Sequence, residues 1–279
     1  MALKTPVKDR IPTYPGRVTL TPVSGQTNTY DLVRADQPLE VGTPINKSLF
    51  DQKAYTLTGN VTVYVSKSGN DTTGDGTSAA PYATVQKAVD SLPKWLDGYT
   101  ATISIASGTY AEDLSVKGFQ GGILVIGIAG NSVVLRSITI ESSSFVQINI
   151  TSIVNTGKGG IVARYGSRVE ILSEMSIDCG GGYNSGLSAT TGSIIGFTVE
   201  LIDIMSISVK NCGFCAIYAG TGSMVHLSGI TGSGNAVGFR ADEGGVITYG
   251  TSSLSATTAT ITTKGGRIYS GAQTSVPKY

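Results

Sequence analysis

The stretch Gly160-Ile161-Val162-Ala163-Arg164-Tyr165-Gly166-Ser167-Arg168-Val169-Glu170-Ile171 sets a pattern that recurs along the chain. Further copies run Gly186-Leu187 through Phe197, Ala216-Ile217 through Leu227, and Gly238-Phe239 through Tyr249; Ser137-Ile138 through Ile148 is a degenerate earlier one. The copies follow one another at roughly 22 to 30 residues, a period of stacked units rather than of one globular core.

Aligned on Gly166, Gly192, Gly222 and Gly244, the copies give four apolar columns. The first reads Ile138, Ile161, Leu187, Ile217, Phe239, and two residues on come Ile140, Ala163, Ala189, Ala219, Ala241. Past a Gly-Ser corner come Val146, Val169, Ile195, Val225, Ile247, then Ile148, Ile171, Phe197, Leu227, Tyr249. Alternation within each copy is strand periodicity. Mixed columns lie between, one of them Gln147, Glu170, Gly196, His226, Thr248, and these residues are expected to point outward. Glycine accepts the left-handed angles of a sharp corner. The unit is strand, corner, strand, then a return path of variable length. Stacked in register at about 4.8 Å per coil, such units form an all-β, single-stranded parallel β-helix in which like residues stack on like.

The regular coils span about 137–250, and 251–279 is expected to be a terminal coil or cap. Ahead of them, Val61-Thr62-Val63-Tyr64-Val65 alternates as a strand, and Thr84 can cap a helix over about 85–92 whose Val85, Ala88, Val89 and Leu92 share one face. That helix suits the role of a lid on the open end of the solenoid, with Trp95 completing it. Residues 1–58 are proline-rich, sparse in apolar side chains and without a repeat, so they are expected to need a partner. Within them, 15–22 reads as one strand and Pro44–Phe50 as the start of a short helix.

Composition narrows the function. Charged residues are 14%, against about 25% in ordinary domains. A net charge of +1 without a basic cluster argues against nucleic acid as a partner. No run of 18 apolar residues implies a membrane span, and the N-terminal 30 residues have no apolar signal core. The chain is therefore expected to be made in a cytosol, or to leave it without such a signal. Three cysteines, Cys179, Cys212 and Cys215, argue against a disulfide framework, and the lone Cys212-x-x-Cys215 is a weak zinc signal. They read as small fillers in turns of adjacent coils. Asp71-x-Thr73-x-Asp75-Gly76 has the outline of a calcium loop, but Tyr82 stands where the bidentate Glu belongs, so the loop reads as structural. No metal and no cofactor are expected.

Glycoside hydrolysis on such a scaffold needs two carboxylates about 5 to 9.5 Å apart. The candidates are Glu170, Glu174, Asp178, Glu200, Asp203, Asp242 and Glu243. Glu170 and the only histidine, His226, share an outward column two coils apart, and they read as two solvated side chains. Asp242-Glu243 reads as a turn. Exposed Arg164, Tyr165, Tyr218, His226 and Arg240 are the candidate surface-binding residues, because tyrosine stacks on sugar rings and tolerates solvent.

Tyr64-Val65-Ser66-Lys67-Ser68-Gly69-Asn70-Asp71, Gly76 through Asp90, and Gly108-Thr109-Tyr110-Ala111-Glu112 resemble the opening segment of pectin-lyase-like right-handed β-helix proteins. The resemblance covers about residues 60–270 and implies the right hand. Its enzymatic members carry adjacent Asp pairs or a Gly-His-Gly, and neither is present in this sequence. Arg10-Ile11-Pro12-Thr13-Tyr14-Pro15-Gly16-Arg17-Val18, Tyr30 through Asp36, and Glu40 through Lys47 resemble the leader of bacteriophage and prophage virion proteins. That resemblance implies a tail fibre or spike, assembled in the host cytoplasm, homotrimeric and resident in the virion. It also implies that residues 1–58 dock on other virion proteins through Tyr14, Pro15, Gly16, Arg17, Val18, Tyr30, Arg34 and Asp36, and that the β-helix of 59–279 contacts the host surface, including its polysaccharide. A polysaccharide depolymerase and a capsid-decorating head fibre are the alternatives.

Overall fold

Alternating apolar residues interrupted by left-handed corners build a parallel β-solenoid. The computed structural model describes residues 11–12, 18–25, 27–34, 38–40, 56–154, 157–197 and 206–271. The chain divides into two units, Met1–Gln52 and Lys53–Tyr279.

In the first unit, Val18–Pro22 and Tyr30–Arg34 form an antiparallel hairpin, and Ile11–Pro12 pairs with Pro38–Glu40. The hairpin sets Val18 opposite Arg34 and Pro22 opposite Tyr30. Leu20 and Tyr30 are more than half exposed. Tyr14, Pro15, Gly16, Arg17, Asp36 and the helix expected at Pro44–Phe50 lie outside the described residues.

In the second unit all four columns stack in the expected register. Ile138 pairs with Ile161, Ile161 with Leu187, Leu187 with Ile217, and Ile217 with Phe239. Val146, Val169, Ile195, Val225 and Ile247 follow suit. The described members of these columns are buried apart from the half-buried Tyr249, which stacks face to face on Phe239 at 4.2 Å. The ladder is longer than 137–250. It begins at Val61–Ala101–Leu124 and ends on Ile268. The return path also holds a third face, with Leu135, Ile153, Ile177 and Val209 stacked inside.

Most corners pair two residues of positive φ, such as Tyr165 (57°) with Gly166 (71°) and Thr221 (51°) with Gly222 (66°), while the corner before Ser143 has Ser142 alone (51°). The serine that follows turns into the core. Ser143, Ser167, Ser193 and Ser223 are at most 1% exposed. The N–H of Ser143 donates to Ser167 Oγ at 3.2 Å, that of Ser167 to Ser193 Oγ at 3.1 Å, and that of Ser193 to Ser223 Oγ at 3.1 Å. A buried N–H must find an acceptor, and the next coil supplies it.

The helix Val85–Ser91 begins at Thr84, whose side chain accepts from Lys87 N. Glu112 receives the N–H groups of Val85 and Gln86 at 3.0 and 2.9 Å, which anchors the helix end by charge. Gln86 imitates a strand against Ser115: it accepts from its N–H at 2.8 Å and donates to its carbonyl at 3.1 Å. The lid differs from expectation at Trp95, which is 50% exposed; Leu96 is the residue buried there. The indole lies against Gly121, and Leu96 takes the buried place. Asp71 accepts from Ala83 N, Thr84 N and Thr84 Oγ1, so the calcium-like loop serves as a helix brace.

Ser193→Ala should leave the Ser167 N–H buried without an acceptor and cost about 1–3 kcal/mol. Urea unfolding checks this against Ser188→Ala, an outward control expected to cost under about 0.5 kcal/mol.

Candidate functional site

Two loops on the return path bring side chains together that the repeat itself does not. Asp178 closes one third-face strand and pairs in register with Lys210 of the next coil. Beyond them the chain runs through Gly180-Gly181-Gly182-Tyr183-Asn184 and through Asn211-Cys212-Gly213-Phe214. The loops lie backbone to backbone. Gly213 N–H donates to the Gly182 carbonyl at 2.9 Å and Phe214 N–H to the Asn184 carbonyl at 3.1 Å. A Cβ on Gly213 would stand 2.7 Å from the Gly182 carbonyl oxygen, so this approach requires glycine.

Beneath the loops Cys179 and Cys212 form a disulfide, with Cα atoms 5.0 Å apart. This corrects the expectation of unbonded fillers: coil stacking places two cysteines 33 residues apart at one corner of adjacent turns. Cys212 and Cys215, three residues apart, are both buried. Cys215 is a buried free thiol, pushed up to about 12 by burial, with Ser185 Oγ at 3.3 Å.

The loops carry a connected aromatic cluster. Tyr183 is 82% exposed and its ring lies 5.1 Å from Phe214. Phe214 meets Tyr218 edge-on at 5.6 Å and the Arg240 guanidinium at 4.8 Å. Tyr218 and Arg240 are register neighbours in an outward column. Asp242 fixes Arg240 by accepting from its Nε at 2.7 Å, and Thr263 Oγ1 donates to the same carboxylate at 2.7 Å. Burial raises the Asp242 pKa, but the bonds from Thr263 and Arg240 outweigh it and leave the group below its ordinary value. Burial, then Asp242, raises the Tyr218 hydroxyl. Both amide atoms of Asn184 are buried without a hydrogen-bond partner, a cost of a kind that collects at functional sites.

Of the sequence-predicted surface residues, Tyr218 and Arg240 thus meet. Arg164 and Tyr165 stand at the corner of an earlier coil, Arg164 beside Glu141 and Tyr165 57% exposed. His226 lies on the strand after the corner, where its Nδ1 bonds Thr248 Oγ1. The solvated reading of Glu170 and His226 is corrected. Glu170 is 9% exposed and accepts from Gln147 Nε2 at 2.8 Å. His226 is half-buried, its pKa lowered by burial, with Nε2 unpartnered. Gly196 lies between them in the column. Asp242-Glu243 forms the expected turn, Glu243 at φ 52° and paired to Lys264. Glu200 and Asp203 lie outside the described residues, and Glu174 is exposed. Among the described residues no group of three or more His, Cys, Asp or Glu could hold a metal ion, and no helix is long and apolar enough to cross a membrane.

Tyr183 and Phe214 were missed because they sit in return paths, outside the aligned columns. Glycine runs ending in an aromatic, followed in the next turn by another, are the signal that could have found them.

The disulfide closes a long loop, so reduction should lower the unfolding free energy by about 3–4 kcal/mol. Denaturant melts with and without reductant measure this, and Cys215→Ala should leave the difference intact. Because Asp242 has a lowered native pKa, its contribution is present above its unfolded value of about 4 and is lost as pH falls through the native one. Asp242→Asn should therefore be less stable than the parent at pH 6, with the gap shrinking below about pH 4 in urea melts at each pH.

Compared with known protein families, curated proteins and solved structures, the chain matches none.

Proposed function

We propose that the chain is a non-catalytic fibre subunit of a bacteriophage particle, a homotrimer docked on other virion proteins through residues 1–58 and contacting the host cell surface through its solenoid. The observation that carries the host-contact reading is the Tyr183–Phe214–Tyr218 cluster with Arg240. A solenoid held by internal ladders gains little from a tyrosine four-fifths exposed, whereas aromatic and arginine side chains on a surface are characteristic anchors of recognition. The resemblance of the leader supports the particle, and the exposed Leu20 and Tyr30 of the hairpin give it apolar contacts to offer a partner. Host polysaccharide is the expected ligand. Attachment to the tail is favoured over decoration of the head because a recognition surface serves adsorption.

A depolymerase is the second reading, and a specific observation favours it. The buried Glu170 carboxylate, Gly196 and the unpartnered His226 Nε2 follow one another on one face. Burial and unpaired polar atoms are features of acid–base sites.

Three measurements test the assignment. Deleting residues 1–58 should abolish incorporation into particles, and incorporation of the truncated chain would overturn the docking role. Light scattering should return a trimer at micromolar concentration. Incubation with host wall or capsular polysaccharide should release no reducing ends; release that disappears in Glu170→Gln would replace the binding role with cleavage.

A further inference from the structure

The loops that carry the aromatic cluster also border a cleft. A volume of about 940 Å³ is lined by Asp178, Gly181, Asn211, Gly213, Ser255 and Thr257, among others. This is at the upper end of the roughly 300–1,000 Å³ that ligand clefts occupy. The same two loops line both features: Gly181 faces the cleft two residues before Tyr183, and Gly213 faces it one residue before Phe214. The loops that carry the aromatic pair thus also form part of the cleft wall, and the Cys179–Cys212 bridge ties the two loops together.

We propose that this surface is a subsite for a neutral hexopyranosyl glycan. It rests on the host-contact reading for its biological use, but its chemistry stands on the site alone. A pyranose ring presents an apolar C–H face and an equatorial rim of hydroxyls. Tyr183 offers the apolar face a ring open to solvent and held in orientation by Phe214. The rim meets a carboxylate, an amide and two hydroxyls, with glycines baring the backbone between them. Asp178 Oδ1 is engaged by Gly180 N–H and Asn211 Nδ2, both at 3.0 Å, which fixes its carboxylate in the cleft wall.

Charge selects the class. An anionic polymer needs a free cation. Arg240 is bound to Asp242 and covers Phe214, so its charge is already matched. Among the described residues lining the cleft Asp178 is the charged side chain, and none is Lys, Arg or His. A phosphate- or uronate-bearing chain would meet the Asp178 carboxylate without a surplus positive charge to offset it.

The test is a glycan array probed with the full chain, bearing neutral hexopyranosyl oligosaccharides alongside uronate- and phosphate-containing ones. Neutral glycans should bind, and the apparent affinity should fall about tenfold in Tyr183→Ala and in Asp178→Asn. Tyr269→Ala, an exposed tyrosine on another face, should bind as the parent does. Both test side chains lie at the surface, and an unchanged melting temperature confirms that the variants fold. Absence of binding, a preference for acidic glycans, or indifference to both variants would overturn the subsite. If that happens while removal of residues 1–58 still abolishes incorporation, the fibre role stands without the subsite. If the array behaves as expected but the truncated chain still incorporates, the subsite stands and the docking role falls.

Discussion

Each regular coil turns a tight corner at the surface, and the residue that re-enters the core after it carries a buried backbone N–H pointing along the stack. In the central coils Ser167, Ser193 and Ser223, each following a corner glycine, resolve this by placing their hydroxyls under the N–H of the preceding coil. Satisfying that donor by the next turn rather than by water fixes the distance and phase between coils. A slip of one residue would expose every apolar column and strand the donor as well. The apolar ladders supply the larger energy. The serine column makes only one register acceptable.

This division explains what the sequence discloses. Ladder residues such as Val169, Ile195 and Val225 are legible because period-2 alternation and a recurring glycine mark them in each copy. Thr84 and the apolar face of the helix after it are legible for the same local reason. The third face is not, because its strands lie in return paths of unequal length, where alignment on the corner loses phase. Ile177 and Val209 stack as well as any ladder pair, yet more residues separate Ile195 from Val209 than Val169 from Ile177. The disulfide escaped for a different reason. Spacing of 33 residues means nothing until the coil length between the two cysteines is known.

The same irregularity locates the candidate site. Ladder positions are occupied by packing and cannot also project, while outward positions on the flat faces are held to one side chain per rung. Return loops escape both constraints, so they can bring Tyr183 of one turn against Phe214 of the next. Tyr218 and Arg240 were visible beforehand because they stand in an outward column; their partners were not, because they stand in loops. The signal for recognition was thus half written in the repeat and half in its interruptions.

The two ends of the solenoid meet one problem by different means. At the first end a strand edge would lie open over Asp113–Lys117, and the amide of Gln86 occupies it as a peptide would. A short helix then covers the cross-section with Val85, Ala88 and Val89. At the other end the inward places opposite Val237, Phe239 and Ala241 hold Thr258, Thr260 and Thr262, all exposed. Threonine keeps the β-branched shape that suits a strand, and its hydroxyl makes the outer surface wettable. An apolar last rung would have offered both an unpaired edge and a greasy face, the combination that drives end-to-end association. A threonine rung keeps the pairing and removes the grease. The loss of the apolar pattern after Tyr249 is therefore not where the solenoid stops, but where it becomes fit to face water.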